Sequence, residues 1–375
     1  MPAAVRVFAI ALALLGSLTT LRAAERWKIQ YLYDQAGSNF DIRDIACPSA
    51  QRCVAAGVIT GQNDRQQGAV VLTSDSGLHW SRVEVKEQPL ALSFLDESLG
   101  WMVTDRGLWS TMEGGRSWNK VTIRKGLLQV HFLDANHGYI SGTSSLLEET
   151  LDGGKTWTRV PEATSATDNP RAVSYDSITF QGLHGIIIGE IDPSVGPPKL
   201  FNRSEAAETH PPGKHAIILE TQDGGKKWIT GAMPLEADLG RVRITKEGSV
   251  LALMVYPDAH SPLSSAVFQA ALGQSQSRLI FGERDRAVTD VAALDDGRGV
   301  LVAVEPPGNA PQVPIPGKLK ILESRNLMLA KTIVWQEMDV DYRAVAQVAV
   351  VAVADAHHIW VATDTGSILG LVDGD

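Results

Sequence analysis

Residues Arg26–Tyr33 (Arg-Trp-Lys-Ile-Gln-Tyr-Leu-Tyr) alternate polar and apolar side chains, the period of a strand whose two faces differ. Similar short runs fill the rest of the chain. Gly, Asn and Asp break them about every ten residues, too often for helices. One of these breaks recurs: Ser74–Trp80, Thr111–Trp118, Thr150–Trp157 and Thr221–Trp228 are variants of Ser/Thr-x-Asp-x-Gly-x-x-Trp. The pattern has a mechanism. Asp75, Glu113, Asp152 and Asp223 can accept backbone N–H groups of a turn, and Gly77, Gly115, Gly154 and Gly225 supply a positive φ. Trp80, Trp118, Trp157 and Trp228 then fold back over the hairpin. Glu113 is one methylene longer than its counterparts and is expected to make a weaker turn. Trp80, Trp118 and Trp157 lie 38 and 39 residues apart, room for four short strands per period. Trp228 follows Trp157 by 71 residues, and a Pro-rich insertion at 192–213 takes up the excess. Beyond it the strand rhythm persists without the turn motif, in units spanning 241–283, 287–337 and 344–371.

Thr150-Leu151-Asp152-Gly153-Gly154-Lys155-Thr156-Trp157 and its relatives resemble the Asp box, or bacterial neuraminidase repeat, of β-propellers. Phe94-Leu95-Asp96 before Gly100-Trp101, and Phe132-Leu133-Asp134 before Gly138-Tyr139, look like the photosystem II assembly and stability factor family. The resemblance covers residues 41–230. With it the strand count becomes an all-β architecture: a seven-bladed propeller of four-stranded antiparallel blades. The N-terminal strand completes the last blade and so removes the free sheet edges of an open array. Asp boxes occur in sialidases, xyloglucanases, sorting receptors and assembly factors alike, so they speak for fold and not for activity. The assembly-factor likeness implies help in building a membrane complex and an arginine patch that meets the partner.

Composition narrows the choice of partner. The 375 residues carry a net charge of −9, which argues against wholesale binding of nucleic acid or anionic membrane. Met1–Ala23 reads as a secretory signal, with Arg6 in the n-region, an apolar Val7–Leu15 and a cleavage site at Leu21-Arg22-Ala23. The propeller then occupies 24–375, no membrane span remains after cleavage, and a periplasmic or secreted location is expected. In that oxidising setting Cys47 and Cys53 are expected to form a structural disulfide across a hairpin. No Cys-x-x-Cys redox motif occurs.

If the boxes join third to fourth strands, the long connections 61–68, 190–214, 256–264 and 305–318 all lie on the opposite face. Long loops on a rigid ring are where binding resides. Arg171, Arg286 and Arg343 stand ahead of apolar strands in matching Arg-Ala-Val phrases, with Arg43 and Arg241 near comparable positions. On the long-loop face these would ring the channel mouth and take an acidic protein segment. A monomer is expected. A second reading is a glycoside hydrolase of sialidase-like propeller type, which needs two carboxylates facing one cleft. Asp44, Glu190, Asp192 and Asp290 are available, but no spacing singles out a pair, and the Phe/Tyr-Arg-Ile-Pro motif of sialidases is absent. The nine histidines show no ligand spacing, so neither metal nor cofactor is expected, and no catalytic residue is assigned.

Overall fold

A computed structural model describes residues 25–372 except 166, 193, 195–213, 258–260, 275, 306–316 and 328–331. The signal segment at 1–23 and most of the long insertions therefore lie outside the described residues. Seven antiparallel sheets form seven blades, and the first strands of neighbouring blades touch one another around a central channel. These innermost strands are Asn39–Ala46, Pro89–Phe94, Leu127–Phe132, Val173–Gln181, Asp238–Ile244, Ala287–Ala293 and Ala349–Val353, in blades 1 to 7. Blade 7 takes its fourth strand, Arg26–Leu32, from the N-terminal end, paired antiparallel with Ser367–Val372. The ring is thus closed by the two ends of one chain.

Alternation explains the core. The third strand of blade 1, Gln66–Thr73, sends Val70 and Leu72 toward blade 2 and Ala69 and Val71 toward blade 7. A strand with blades on both sides has two apolar faces, so its inner residues read as a continuous hydrophobic run. Seven apolar clusters result among the described residues, one between each pair of neighbouring blades.

All four boxes connect third to fourth strands. In the third, the Thr150 hydroxyl donates to Asp152 Oδ1 at 2.9 Å and accepts the Gly154 N–H, while Asp152 Oδ1 accepts the Thr156 N–H at 2.8 Å. The first box uses Thr73 in this role, one residue ahead of Ser74, with the same bonds to Asp75 and Gly77. The expected φ values are found: +87° at Gly77, +88° at Gly115, +89° at Gly154 and +94° at Gly225. Glu113 reaches the Ser117 hydroxyl, and no backbone amide in its turn bonds to its carboxylate. The extra methylene carries the oxygens past the N–H groups that Asp meets. Trp118, Trp157 and Trp228 pack edge-on against Phe94, Phe132 and Phe180, at the inner-strand end of their own blades. A Cβ on Gly138 would fall 2.6 Å from the Phe132 ring, which is why the phrase needs glycine there.

Blade 6 keeps a worn box that the sequence did not reveal. Ser324 donates to Asn326 Oδ1 at 3.1 Å, and the matching ring, Trp335, arrives later in the chain and donates to the Ile280 carbonyl of blade 5. The chain then straps two blades together. Gln336–Glu337 pairs within blade 6, Asp339–Val340 runs parallel to Arg26 and Trp27 of blade 7, and Val345–Ala346 returns to blade 6 at Gly317 and Lys318. Cys47 and Cys53 are disulfide-bonded across the first hairpin of blade 1.

Candidate functional site

Every innermost strand of blades 1 to 6 carries a bulge. The residues skipped by the ladder are Arg43, Leu90, Leu128, Asp176, Gly240 and Thr289. A bulge turns the following side chain out of the regular pleat, and in two blades that residue is aspartate. Asp44 accepts the N–H of Ile45 at 3.0 Å and that of Leu92 in blade 2 at 2.7 Å. Asp290, fully buried, accepts the N–H of Val291 at 2.8 Å and that of Val351 in blade 7 at 3.0 Å. Each aspartate bolts one innermost strand to the next.

The channel between them is polar. Arg241 and Arg243, two apart on the innermost strand of blade 5, lie 3.4 and 3.3 Å from the Asp290 carboxylate. Asp290, and then Asp44 from the far side of the ring, hold the Arg241 guanidinium firmly protonated. Burial pushes the Asp44 carboxyl up, with Arg241 opposing it. Burial also drives the His131 imidazole down to about 4, so it stays neutral where it stacks on Phe180.

The strand topology fixes which face each loop reaches. First strands start where second strands end and third strands begin, so the innermost-strand starts and the long connections share a face. The boxes lie on the other. Arg171, in a single 3-10 turn ahead of its strand, is exposed and has no ion-pair partner among the described residues. Arg286 is held between Glu283 at 3.1 Å and Glu337 at 3.3 Å. Arg343 is exposed and bonded to Asp341 at 2.6 Å, which holds the Asp341 carboxyl below its ordinary range. Arg43 and Arg241 differ from that grouping: both sit inside innermost strands, Arg43 at the bulge and bonded to Asp41, Arg241 in the channel on Asp290. The innermost strands begin earlier than the sequence suggested, at Asn39 and Asp238, which places both arginines within a strand and not at its start.

The candidate carboxylates divide in the same way. Asp44 and Asp290 are spent on backbone amides, Asp192 on Ser194, and Glu190 on the Leu239 N–H at 2.8 Å. Asp176, which spacing did not single out, is the unusual one. Burial, then the charge of Glu190, lifts its carboxyl to about 7, and its Oδ1 is sealed with no hydrogen-bond partner among the described residues. Among those residues no group of three or more His, Cys, Asp or Glu gathers as a metal site, and no helix is long and apolar enough to cross a membrane.

Known proteins match part of the sequence and most of the fold. The family model described as photosynthesis system II assembly factor YCF48 matches residues 119–195. The photosystem II stability/assembly factor HCF136 of Arabidopsis thaliana is 30% identical over 118 residues, covering 30% of this chain and 23% of that protein. The chain thus spans about a quarter of the length of this relative. The solved structure of YCF48 bound to D1 peptide superposes with a TM-score of 0.60 at 14% identity, covering 92% of this chain and 97% of that one. An ancestral GH74 enzyme superposes with a TM-score of 0.51 at 16% identity, covering 77% of this chain and 37% of that one. Likeness at such identities is likeness of fold. The chain is a seven-bladed β-propeller similar to the photosystem II assembly factors.

Proposed function

We propose that this chain is an exported, non-enzymatic propeller that holds a protein partner on its loop face and serves the assembly or stability of a membrane or envelope complex. The observation that carries this reading is the placement of Arg171 and Arg286 ahead of innermost strands, and of Arg343 ahead of the Val345–Ala346 strand on blade 6, on the face of the long connections. Arg171 offers charge with no ion-pair partner among the described residues, and Arg286 and Arg343 can exchange their own carboxylates for those of an acidic segment. The peptide held by the solved YCF48 supports a protein segment as the ligand class. Export rests on the signal-like Met1–Ala23, and the partner is met in the periplasm or outside the cell.

Affinity capture from the native envelope extract tests it, with wild type compared against an Arg171→Ala/Arg286→Ala/Arg343→Ala variant. Partners should fall at least about tenfold with the variant. Equal recovery removes the loop-face arginines from the binding site. A hydrolase reading has one observation in its favour, the Asp176 carboxyl held near neutrality beside Glu190. Glycan hydrolysis that disappears in Asp176→Asn would favour it.

A further inference from the structure

The box face carries an orphaned cation. Arg52 sits in the hairpin between Cys47 and Cys53, which the disulfide ties shut. Its side chain runs under the box of blade 2, where its Cζ would lie 3.1 Å from a Cβ on Gly114. Close neighbours leave the residue only 9% exposed, and its Nε and Nη1 have no hydrogen-bond partner among the described residues. Burial and then the like charge of Arg116 lower its pKa, and Glu97 is the nearby acid that opposes them. Arg116 itself is exposed and has no ion-pair partner among the described residues. A guanidinium largely shut away from water without an acceptor is costly, and the like charge of the exposed Arg116 nearby adds to that cost. An anion arriving from outside relieves both.

The surroundings say what kind of anion. The Ser76 N–H bonds to the Gln51 carbonyl, and the Gly114 N–H bonds to the Ser98 carbonyl, so two boxes and two hairpins crowd around Arg52. These turns push Leu78, Leu95 and Met112 out into solvent at 79%, 39% and 77% exposure. Lys155 stands exposed on the neighbouring box of blade 3. A soluble anion has no use for apolar side chains around it, whereas a bilayer offers a headgroup phosphate directly above an acyl boundary.

We propose that Arg52 and Arg116 bind the phosphodiester of an anionic lipid headgroup while Leu78, Leu95 and Met112 enter the acyl boundary of the membrane. The surface lies opposite the loop-face arginines, so lipid and protein partner can be held at once.

Vesicle flotation of the full chain tests the proposal, using phosphatidylcholine alone or mixed with phosphatidylglycerol. Wild type should float with the mixed vesicles. Arg52→Met and Arg116→Met should each weaken binding by about tenfold, and Leu78→Ser with Met112→Ser should do the same. The Arg171/Arg286/Arg343→Ala variant should float as wild type does. Arg52→Met should also raise Tm, because it removes a buried charge that lacks a partner. A lower Tm would reveal a structural partner for Arg52 and overturn the site. Failure of wild type to float, or flotation of Arg52→Met equal to wild type, would overturn it too. Stabilisation by inorganic phosphate without vesicle binding would reassign the site to a soluble oxyanion and sink the lipid reading.

Discussion

Blades 1 to 4 and blades 5 to 7 solve one problem by different means. A closed ring must seal seven interfaces, and in the first half the box does it. Each box leans on the blade before it: Gly77 packs against Gln30 of the closing strand, Gly115 against Val54, Gly154 against Val121 and Gly225 against Tyr139. The Tyr139 hydroxyl completes the last contact by donating to the Gly224 carbonyl at 2.8 Å. In the second half Trp335 reaches back to blade 5, and the strap at 336–346 joins blades 6 and 7. The interface between blades 4 and 5 has neither device. Its apolar cluster holds no aromatic ring among the described residues, and polar contacts span it instead: Glu190 to Leu239, Lys214 to Asp238, Ile244 to Thr179. Conserving the seal does not require conserving the motif.

Glycine substitutions separate the two halves most sharply. A Cβ at Gly225 would lie 1.8 Å from the Tyr139 hydroxyl, on a backbone with φ of +94°. Gly225→Val should cost roughly 4 kcal/mol, combining overpacking with backbone strain. Gly273, in the corresponding unboxed turn of blade 5, has φ of +74° and nothing within 4 Å of its Cβ position. Gly273→Val should therefore cost only about 1–2 kcal/mol. Equal losses in urea unfolding would show that the box is not an interblade clip.

The innermost strand of blade 4 gives the next effect. Burial, and then the charge of Glu190, pushes the Asp176 carboxyl from the ordinary aspartate range up to about 7. Between those values the native state keeps a proton that the unfolded chain has released, so stability falls as pH rises through the window and stays lowest above it. Asp176→Asn should match wild type near pH 4 and exceed it near pH 8 by roughly 1–3 kcal/mol. Urea midpoints at the two pH values check this, and a variant that gains nothing at the higher pH breaks the assignment.

Within the boxed half the smallest contrast is between Asp152 and Glu113. Asp152→Ala removes the acceptor of the Thr156 N–H and should lower Tm by roughly 2 °C. Glu113→Ala should change Tm less than that, and Glu113→Asp should raise it. Thermal melts of the three variants decide the order.

The sequence made the boxed half legible because turn chemistry is local. Asp152, Gly154 and Trp157 must stand at fixed offsets for the bonds to close, so spacing alone exposes them. The seven-blade count followed from strand rhythm, which survives where the motif does not. Other features are hidden for physical reasons. Ser324 and Asn326 are separated from Trp335 by extra residues, so the worn box has no fixed spacing to detect. Arg43, Asp176 and Thr289 occupy one bulge position in three blades with no chemistry in common. Arg241 and Arg52 are significant only for the groups around them, Asp290 in one case and a missing acceptor in the other, and both depend on three-dimensional packing.

The closing strand also sets a timetable. Gln30 accepts a hydrogen bond from Trp360 across 330 residues of sequence. A chain emerging N-terminal end first therefore makes a strand whose partners appear some 330 residues later. Until then Trp27 and Tyr31 have no blade to enter, and the edge left open can pair with another chain. Contacts this distant in sequence form slowly, so the ring is exposed to misassembly for as long as blade 7 is incomplete. Truncation at either end has the same outcome, because each end supplies part of that one blade.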